Sequence, residues 1–403
     1  MEDRLTHIVH LGTNGFPHGM AAIERIRLLS LALLDSGVSV RVISHKGVMK
    51  PEQEGDFPPH GQFQGIDYDF VNGSIVRPES FWQRNLAKVS GRIQEWLFLR
   101  SLRRKKQLEA AVISSMDLFS LIYYRIICTL LGIPMIYQLV ELNSAMANRQ
   151  SKAKQISDGL LEKYALGLPD AIWPISQLLT TFCQTRFAEL PLLPIPVVCD
   201  YAAFDKIRAL DHEPYFLYCG SSSYAEVIYF LIDAFASLQT VERAGYKLYL
   251  IVGGEQDAKL NIQKYIVEQG LEDEVIMFSG LPYEDLIRHY KGAEALLIPL
   301  RPRKQDEARF PHKIGEYLAS GKPIITTKIG EIPHYFTDEH DALVADSYEI
   351  ETFAEKMRFV LNYPTQARLI GQNGKQLGRQ NFDCYQYGAK MKDFIQFIQN
   401  YPQ

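Results

Sequence analysis

The sequence predicts an α/β protein made of two consecutive doubly wound, Rossmann-like domains. Three observations predict it. Apolar runs of strand length alternate with longer stretches whose apolar residues recur every three to four positions. Glycine-bearing turns join several of them, and the same rhythm restarts after the proline-rich segment 190–196. A chain of 403 residues has room for two or three cores. Its net charge of −4 excludes nucleic-acid binding by bulk electrostatics, so any attraction for anions is local. Cys128, Cys183, Cys199, Cys219 and Cys384 are scattered with no C-x-x-C pair, which argues against a disulfide framework or zinc site and for a reducing compartment. Nothing before His7 resembles a signal peptide. The longest apolar run, 121–140, is broken by Arg125, Gly132 and Pro134 and reads as helix, turn and strand rather than a membrane span. The expected location is cytoplasmic, with contact at the inner face of a membrane left open.

In chain order, His7–Gly12 predicts a strand, TNGFPHG a glycine-rich turn, and Met20–Ser36 a helix with Ile23, Ile26, Leu29 and Leu33 on one face. Val38–Ser44 follows as a strand, a βαβ start that implies a parallel sheet. The turn glycines Gly12, Gly15 and Gly19 do not form G-x-G-x-x-G; they either let a ligand approach the backbone or simply make the turn. Pro51–Pro59 reads as loop. Ser80–Gln107 reads as a basic amphipathic helix, with Trp82, Leu86, Val89, Ile93 and Trp96 as an apolar stripe beside Arg84, Lys88 and Arg92, ending in the block Arg100, Arg103, Arg104, Lys105 and Lys106. Such a helix either lies on an anionic membrane surface or is a domain helix with a solvated basic face. Ala111–Ser114, Pro134–Val140 and Ala171–Pro174 predict strands, and Gln177–Phe187 a helix capped by Ser176.

The second half predicts strands at Tyr215–Cys219, Lys247–Val252, Val275–Ser279, Ala295–Pro299 and Pro323–Thr327, alternating with helices. The best punctuated stretch is 306–327, DEARFPHKIGEYLASGKPIITT. Pro311 suits a first helical turn, Gly321 the position past the end, and Pro323 forbids resumption. A helix N-terminus flanked by Arg309 and Lys313 is either an anion site or an ordinary helix feeding a sheet. Two such halves place a ligand cleft between them, because ligands of open parallel sheets lie beyond the carboxyl ends of the strands. The segment 385–401 is a helix that must dock elsewhere.

The second half resembles the retaining glycosyltransferases of the GT4 family, which have the GT-B fold. The resemblance rests on Cys219-Gly220, LIDAF at 231–235, YLIVGG at 249–254, VIMFSGLPYEDL at 275–286 and ARFPHKIGEYLASGKPIITT at 308–327, the last in an A-R-F-P-x-K-x-x-E-Y-L-A form. NGFPHGMAAIERIRLL and AIWPIS add support from the first half. It implies an N-terminal acceptor-side domain at 1–198, onto which 385–401 packs back, and a donor-binding domain at 199–384. Glu316 would accept hydrogen bonds from the ribose diol of a nucleotide-sugar. Gly280–Tyr283, with Leu281, would hold the nucleobase. Gly15, Ser221, Gly253, Arg309, Phe310, Pro311 and Lys313 would surround the rest of the donor, with Glu307 and Arg309 as catalytic residues and His18, Gly19 and Arg25 on the acceptor side. The implied reaction moves a hexosyl or N-acetylhexosaminyl group, with retention, to a glycan or lipid-linked acceptor. It uses no metal or other cofactor and no nucleic acid.

The chain departs from the family pattern in three places. Ser221 and Glu226 stand where an Arg (or a small residue) and a Lys usually grip the diphosphate, Ala308 where a glutamate is common, and Val140 with Glu141 where a histidine is common. These departures support the alternative of a catalytically reduced GT-B protein that binds or scaffolds another transferase.

Overall fold

The structure, a computed structural model, describes residues 6–19, 21–53, 55–146, 151–210 and 213–400. The chain divides into one unit of Met1–Val198 with Cys384–Gln403 and a second of Cys199–Asp383.

The first unit holds seven strands: β1 (Thr6–Leu11), β2 (Val38–Ser44), β3 (His60–Phe63), β4 (Ile66–Phe70), β5 (Ala110–Ile113), β6 (Met135–Leu139) and β7 (Ala171–Pro174). Their order is β3-β4-β2-β1-β5-β6-β7. All neighbours are parallel except β3 and β4. β1 is central, with Ile8 opposite Val40 on one side and Ala110 on the other. The helix Ala21–Asp35 covers one face and buries Ile23, Ile26, Leu29 and Leu33. Gly388–Asn400 lies against it and adds Met391, Ile395 and Ile398 to the same core. Only glycine fits at 388, because a Cβ there would sit 2.1 Å from the Ala32 carbonyl oxygen. A 3-10 turn at Cys384–Tyr387 precedes this helix, which therefore starts later than the sequence reading places it.

Two findings correct the sequence reading of this unit. The hairpin β3–β4 was not anticipated. It turns through Gln64 and Gly65, both at positive φ (52° and 84°), which is the geometry of a two-residue primed turn. Ile66, Tyr68 and Phe70 alternate inward, and the strand-averse Asp67 and Asp69 are held by Arg41 of β2. The second correction concerns the helix Phe81–Arg104, which buries Gly91, Glu95, Leu99 and Leu102. Most of the predicted stripe points outward: Trp82, Leu86, Val89 and Ile93 are each more than half exposed, as is Leu97 beside them, while Trp96 is half-buried. Glu95 faces inward because Arg92 and the Tyr124 hydroxyl hold it. Arg103 is not a free basic residue; it donates to the carbonyls of Leu108, Leu131 and Gly132. Among the described residues no helix is long and apolar enough to cross a membrane.

The second unit holds β8 (Tyr215–Ser221), β9 (Lys247–Gly253), β10 (Val275–Phe278), β11 (Ala295–Ile298), β12 (Ile324–Thr327) and β13 (Leu343–Ala345). The order is β10-β9-β8-β11-β12-β13, with every pair parallel. β8 lies between β9 and β11, so the strand order reverses there. In such sheets the loops leaving the carboxyl ends at that point form the ligand crevice. The core beneath is built by Phe216, Leu231, Phe235, Leu248, Leu250, Leu297 and Phe353, all fully buried.

Candidate functional site

Four segments meet at the carboxyl ends of β8, β9, β10 and β11. β8 ends at Ser221, whose hydroxyl accepts from Ser223 N–H and contacts the Ser223 hydroxyl at 2.8 Å, closing a 3-10 turn ahead of the helix Ala225–Ala236. Beside it, Gly254 follows β9 at φ +110°, and a Cβ there would sit 2.4 Å from the Ser222 hydroxyl. This is a close approach that a larger residue would spoil. Gly280 follows β10 at φ +70°, and Leu281 after it is half-buried.

The loop after β11 carries most of the charge. Arg301, 7% exposed, donates through its backbone N–H and Nε to Asp306 at 3.0 and 2.7 Å, and its Nη1 reaches Glu226 at 3.5 Å. Arg303, exposed, pairs with the same Glu226 at 2.8 Å. Asp306, 0% exposed, also takes Arg309 Nη2 at 2.6 Å. Burial alone would raise the Asp306 carboxyl, but the hydrogen bonds from Arg301 and the charge of Arg309 outweigh it and hold it below the ordinary carboxylate range. Arg309 further donates to the Tyr224 hydroxyl at 2.7 Å and lies over that ring.

Ahead of the helix Lys313–Ser320 lies a second, short helix, Lys304–Ala308. Pro311 precedes the first turn, and its carbonyl accepts from Ile314 N–H. Glu316, 9% exposed, accepts from Lys313 Nζ at 3.1 Å and from the hydroxyls of Tyr283 and Tyr290 at 3.4 Å each. Burial would lower the Lys313 ammonium, yet the Glu316 charge outweighs it and raises it above its ordinary value. Tyr290 is pushed well above the phenol range, first by burial, so it stays a protonated donor. The neighbouring Tyr317 hydroxyl ties the helix to β8 by accepting from Cys219 N–H at 2.9 Å.

The sequence-predicted residues divide accordingly. Ser221, Arg309, Lys313 and Glu316 belong to this cluster, and Gly253 with Leu281 stands at its strand ends. Phe310 does not line it; at 2% exposed it stacks on Tyr335 and meets Phe382 edge-on in the interior. Glu307 is exposed, and its carbonyl oxygen lies against Gly330. In the first unit Gly15 is buried at φ +116°, Gly19 is exposed, and exposed His18 packs its ring on Phe57 and Phe63. Arg25 is an interior residue rather than an acceptor contact. It is 2% exposed, and its three donors serve Gln138, Ile195 and Pro196. Burial lowers its guanidinium to about 9, offset in part by Tyr387. Sequence reasoning missed Arg301, Arg303, Tyr224 and Tyr290, and it placed Tyr283 in the nucleobase segment rather than against Glu316. The two arginines had a readable signal: they follow β11 at its carboxyl end, five and three residues before the stretch singled out.

Residues 202–377 match the family described as "Glycosyl transferases group 1". Over 147 residues, 36% of this chain, it is 23% identical to the GDP-mannose-dependent alpha-(1-6)-phosphatidylinositol monomannoside mannosyltransferase of Mycolicibacterium smegmatis, and the match spans 38% of that relative's length. Sucrose-phosphate synthase of Thermosynechococcus elongatus superposes with TM-score 0.77 at 16% identity, covering 98% of this chain and 99% of that one. HepE of Anabaena, solved with UDP-glucose, superposes with TM-score 0.69 at 13% identity, covering 98% and 100%. These likenesses establish the fold as GT-B.

Proposed function

We propose that the protein moves a sugar from a nucleotide-sugar donor to a glycan or lipid-linked acceptor, with retention of configuration. The second unit would hold the donor and the first the acceptor. The observation that carries this reading is the cluster at the β8–β11 switch point, where a buried carboxylate, Glu316, stands beside Arg301, Arg303, Arg309 and Lys313. Glu316 accepts the ribose diol, displacing the two long tyrosine hydrogen bonds, which lie at the loose end of the hydrogen-bonding range. Leu281 and the backbone around Gly280 flank the nucleobase. The arginines and Lys313 neutralise the diphosphate as the bond from the sugar to its leaving oxygen breaks and the bond to the acceptor oxygen forms on the same face. Protein cations suffice for that charge, so no metal is invoked.

The similarity of residues 202–377 to glycosyltransferases, and of the fold to HepE, which was solved with UDP-glucose, supports a nucleotide-sugar donor. Calorimetry with UDP and GDP, followed by detection of nucleoside diphosphate released from the matching sugar nucleotides, tests it. Failure to bind either nucleotide would favour the scaffold alternative. The exposed apolar stripe of the helix Phe81–Arg104, ending in exposed Arg100, Arg104, Lys105 and Lys106, supports contact with an anionic membrane at its cytoplasmic face. Flotation with phosphatidylglycerol against phosphatidylcholine vesicles tests that contact. Equal behaviour toward both, or no effect of Arg100→Glu with Arg104→Glu, removes it.

A further inference from the structure

Around the segment that leaves β2, the first unit gathers positive charge that its own carboxylates do not answer. Residues 45–49 are closely packed on two sides. A Cβ on Gly47 would sit 2.2 Å from the Val76 carbonyl oxygen, and a Cβ on Gly91 would sit 1.9 Å from that of His45. Hydrogen bonds from Val48 and Met49 N–H to the Ile75 carbonyl, and from Arg77 N–H to the Met49 carbonyl, lock the first contact. The second brings the helix Phe81–Arg104 down onto His45, with Lys88 one turn ahead of the touching glycine and Arg92 next to it. Lys46, Arg77, Lys88 and Arg92 therefore share one neighbourhood.

Their environments register it. The Lys46 ammonium is lowered by burial first and then by Lys88, Arg92 and Arg77, with Asp117 acting against them. The His45 imidazole is lowered to about 3 by burial, then by Arg92 and Lys46, again with Asp117 opposing and Lys88 adding. Arg92 has its own partners, Glu95 at 3.0 Å and the Ser120 hydroxyl at 2.7 Å. Asp117 is committed to capping the helix Leu118–Leu131 through Ser120 N–H at 2.8 Å. Among the described residues the side chains of Lys46, Arg77 and Lys88 have no hydrogen-bond or ion-pair partner. His45, 5% exposed, leaves its Nδ1 without one as well.

The place is as telling as the charge. It lies at the carboxyl end of β2, and the glycine turn 12–19 is laced to it. Gly15 N–H donates to the Ser44 hydroxyl at 3.3 Å, and His45 N–H to the Asn14 side chain at 3.0 Å. With Glu95 taken by Arg92 and Asp117 engaged in capping, Lys46, Arg77 and Lys88 repel one another, and an anion among them would relieve that repulsion. Lysines and an arginine fixed around a strand end match a phosphoryl group, which offers several strong acceptor oxygens.

We infer that Lys46, Arg77 and Lys88 form a subsite for a phosphoryl group carried by the acceptor, so that the first unit selects a phosphorylated acceptor over a neutral glycan. The inference rests on the reading of the first unit as the acceptor side. A soluble sugar phosphate and a lipid-linked phosphate present the same group, and the test separates them.

Lysine acetylation of the full chain, read by mass spectrometry, is compared with no addition, with glucose, with glucose 6-phosphate, and with phosphatidylcholine vesicles with or without phosphatidic acid. Protection of Lys46 and Lys88 by glucose 6-phosphate but not glucose supports the subsite with a soluble source. Protection by phosphatidic acid vesicles alone supports it with a lipid source. Protection by neither overturns it. The double variant Lys46→Gln, Lys88→Gln changes half-buried or exposed side chains and should weaken binding of the effective probe at least about tenfold; unchanged binding also overturns the proposal. Thermal shift with UDP and GDP is read in parallel. If wild type shows phosphate protection but no nucleotide shift, the glycosyltransferase reading falls and the anion subsite stands. If the nucleotide shift is present without protection, the reverse holds.

Discussion

Replacing Glu316 by glutamine separates a ribose-binding carboxylate from a merely buried one. The side chain is 9% exposed, with Lys313 Nζ at 3.1 Å and the Tyr283 and Tyr290 hydroxyls at 3.4 Å. A ribose diol would replace the two long contacts with two charge-assisted hydrogen bonds, each worth ~1.5–3 kcal/mol. Glutamine keeps one acceptor oxygen and turns the other position into a donor facing Lys313, so at least one of those bonds is lost and the other loses its charge. The expected cost is about 3 kcal/mol, on the order of a hundredfold in the dissociation constant. The assay is calorimetry with UDP and GDP on wild type and Glu316→Gln, repeated with the 2′,3′-dideoxy diphosphates. Wild type should lose most of its affinity when the diol is removed, and the variant should lose little more. Binding of UDP or GDP by the variant within about threefold of wild type would refute the assignment. So would a dideoxy penalty that persists undiminished in the variant.

Three further outcomes follow from the same geometry. Arg301→Met leaves the fully buried Asp306 with Arg309 as its remaining ion-pair partner and should destabilise the second unit by about 3 kcal/mol. Urea unfolding measures this, adding Asp306→Asn should recover part of the loss, and a cost below about 1 kcal/mol would contradict the clamp. Glu226→Gln should tighten nucleoside diphosphate binding several-fold and Arg303→Gln should weaken it; weaker binding by Glu226→Gln refutes the role given to this carboxylate. Buried His10 and His45 are both lowered to about 3, chiefly by burial. Each folded-state value lies below the unfolded value of about 6.5, so the stability they allow is full above that pH and is lost as pH falls toward 3. At pH 5 the loss is about 2 kcal/mol for each. His10→Leu should halve the acid loss seen in urea midpoints of the first unit, and an unchanged slope would assign it to other groups.

What the sequence discloses and what it withholds have separate physical causes. Val38–Ser44 and Ala171–Pro174 are legible to the residue because apolar runs bounded by glycine or proline leave one register open. Ser176 is legible as an N-cap and accepts from Leu179 N–H as that role requires. Lys313 and Glu316 are neighbours at i and i+3 of one helix, so their pairing is also local. Tyr290 and Tyr283 come from a different helix and meet Glu316 only through the sheet, which no local pattern encodes. The resemblance puts Arg25 on the acceptor side, but three long-range acceptors draw it inside. The helix Phe81–Arg104 shows the limit of periodicity most plainly. Its apolar stripe is real, yet Gly91 permits the closest backbone approach, and the Glu95–Arg92–Tyr124 network turns the opposite face inward.

The departures at Ser221 and Glu226 look different once the loop after β11 is considered. In isolation a glutamate at the start of the helix Ala225–Ala236 would repel a diphosphate. It also gains from the helix dipole in that first turn, which explains why the fold tolerates it. Its partners come from the neighbouring strand end, Arg303 at 2.8 Å and Arg301 at 3.5 Å. Glu226 and Arg303 are both exposed, and such a surface pair contributes only ~0–1 kcal/mol, so an incoming anion can take Arg303 over at little cost. Arg301 is the opposite case. Asp306 fixes its backbone N–H and its Nε, leaving the Nη1 edge toward Glu226 as the part free to change partner. One cation is thus pre-oriented and another is loosely held, and a carboxylate occupies the place a phosphate oxygen would take. On the proposed reading, the positive charge missing from the first turn of this unit would come from Arg301 and Arg303 in the loop after β11, at the same switch point. If the second unit holds a nucleotide-sugar as proposed, the residues at Ser221 and Glu226 would relocate the diphosphate grip rather than remove it.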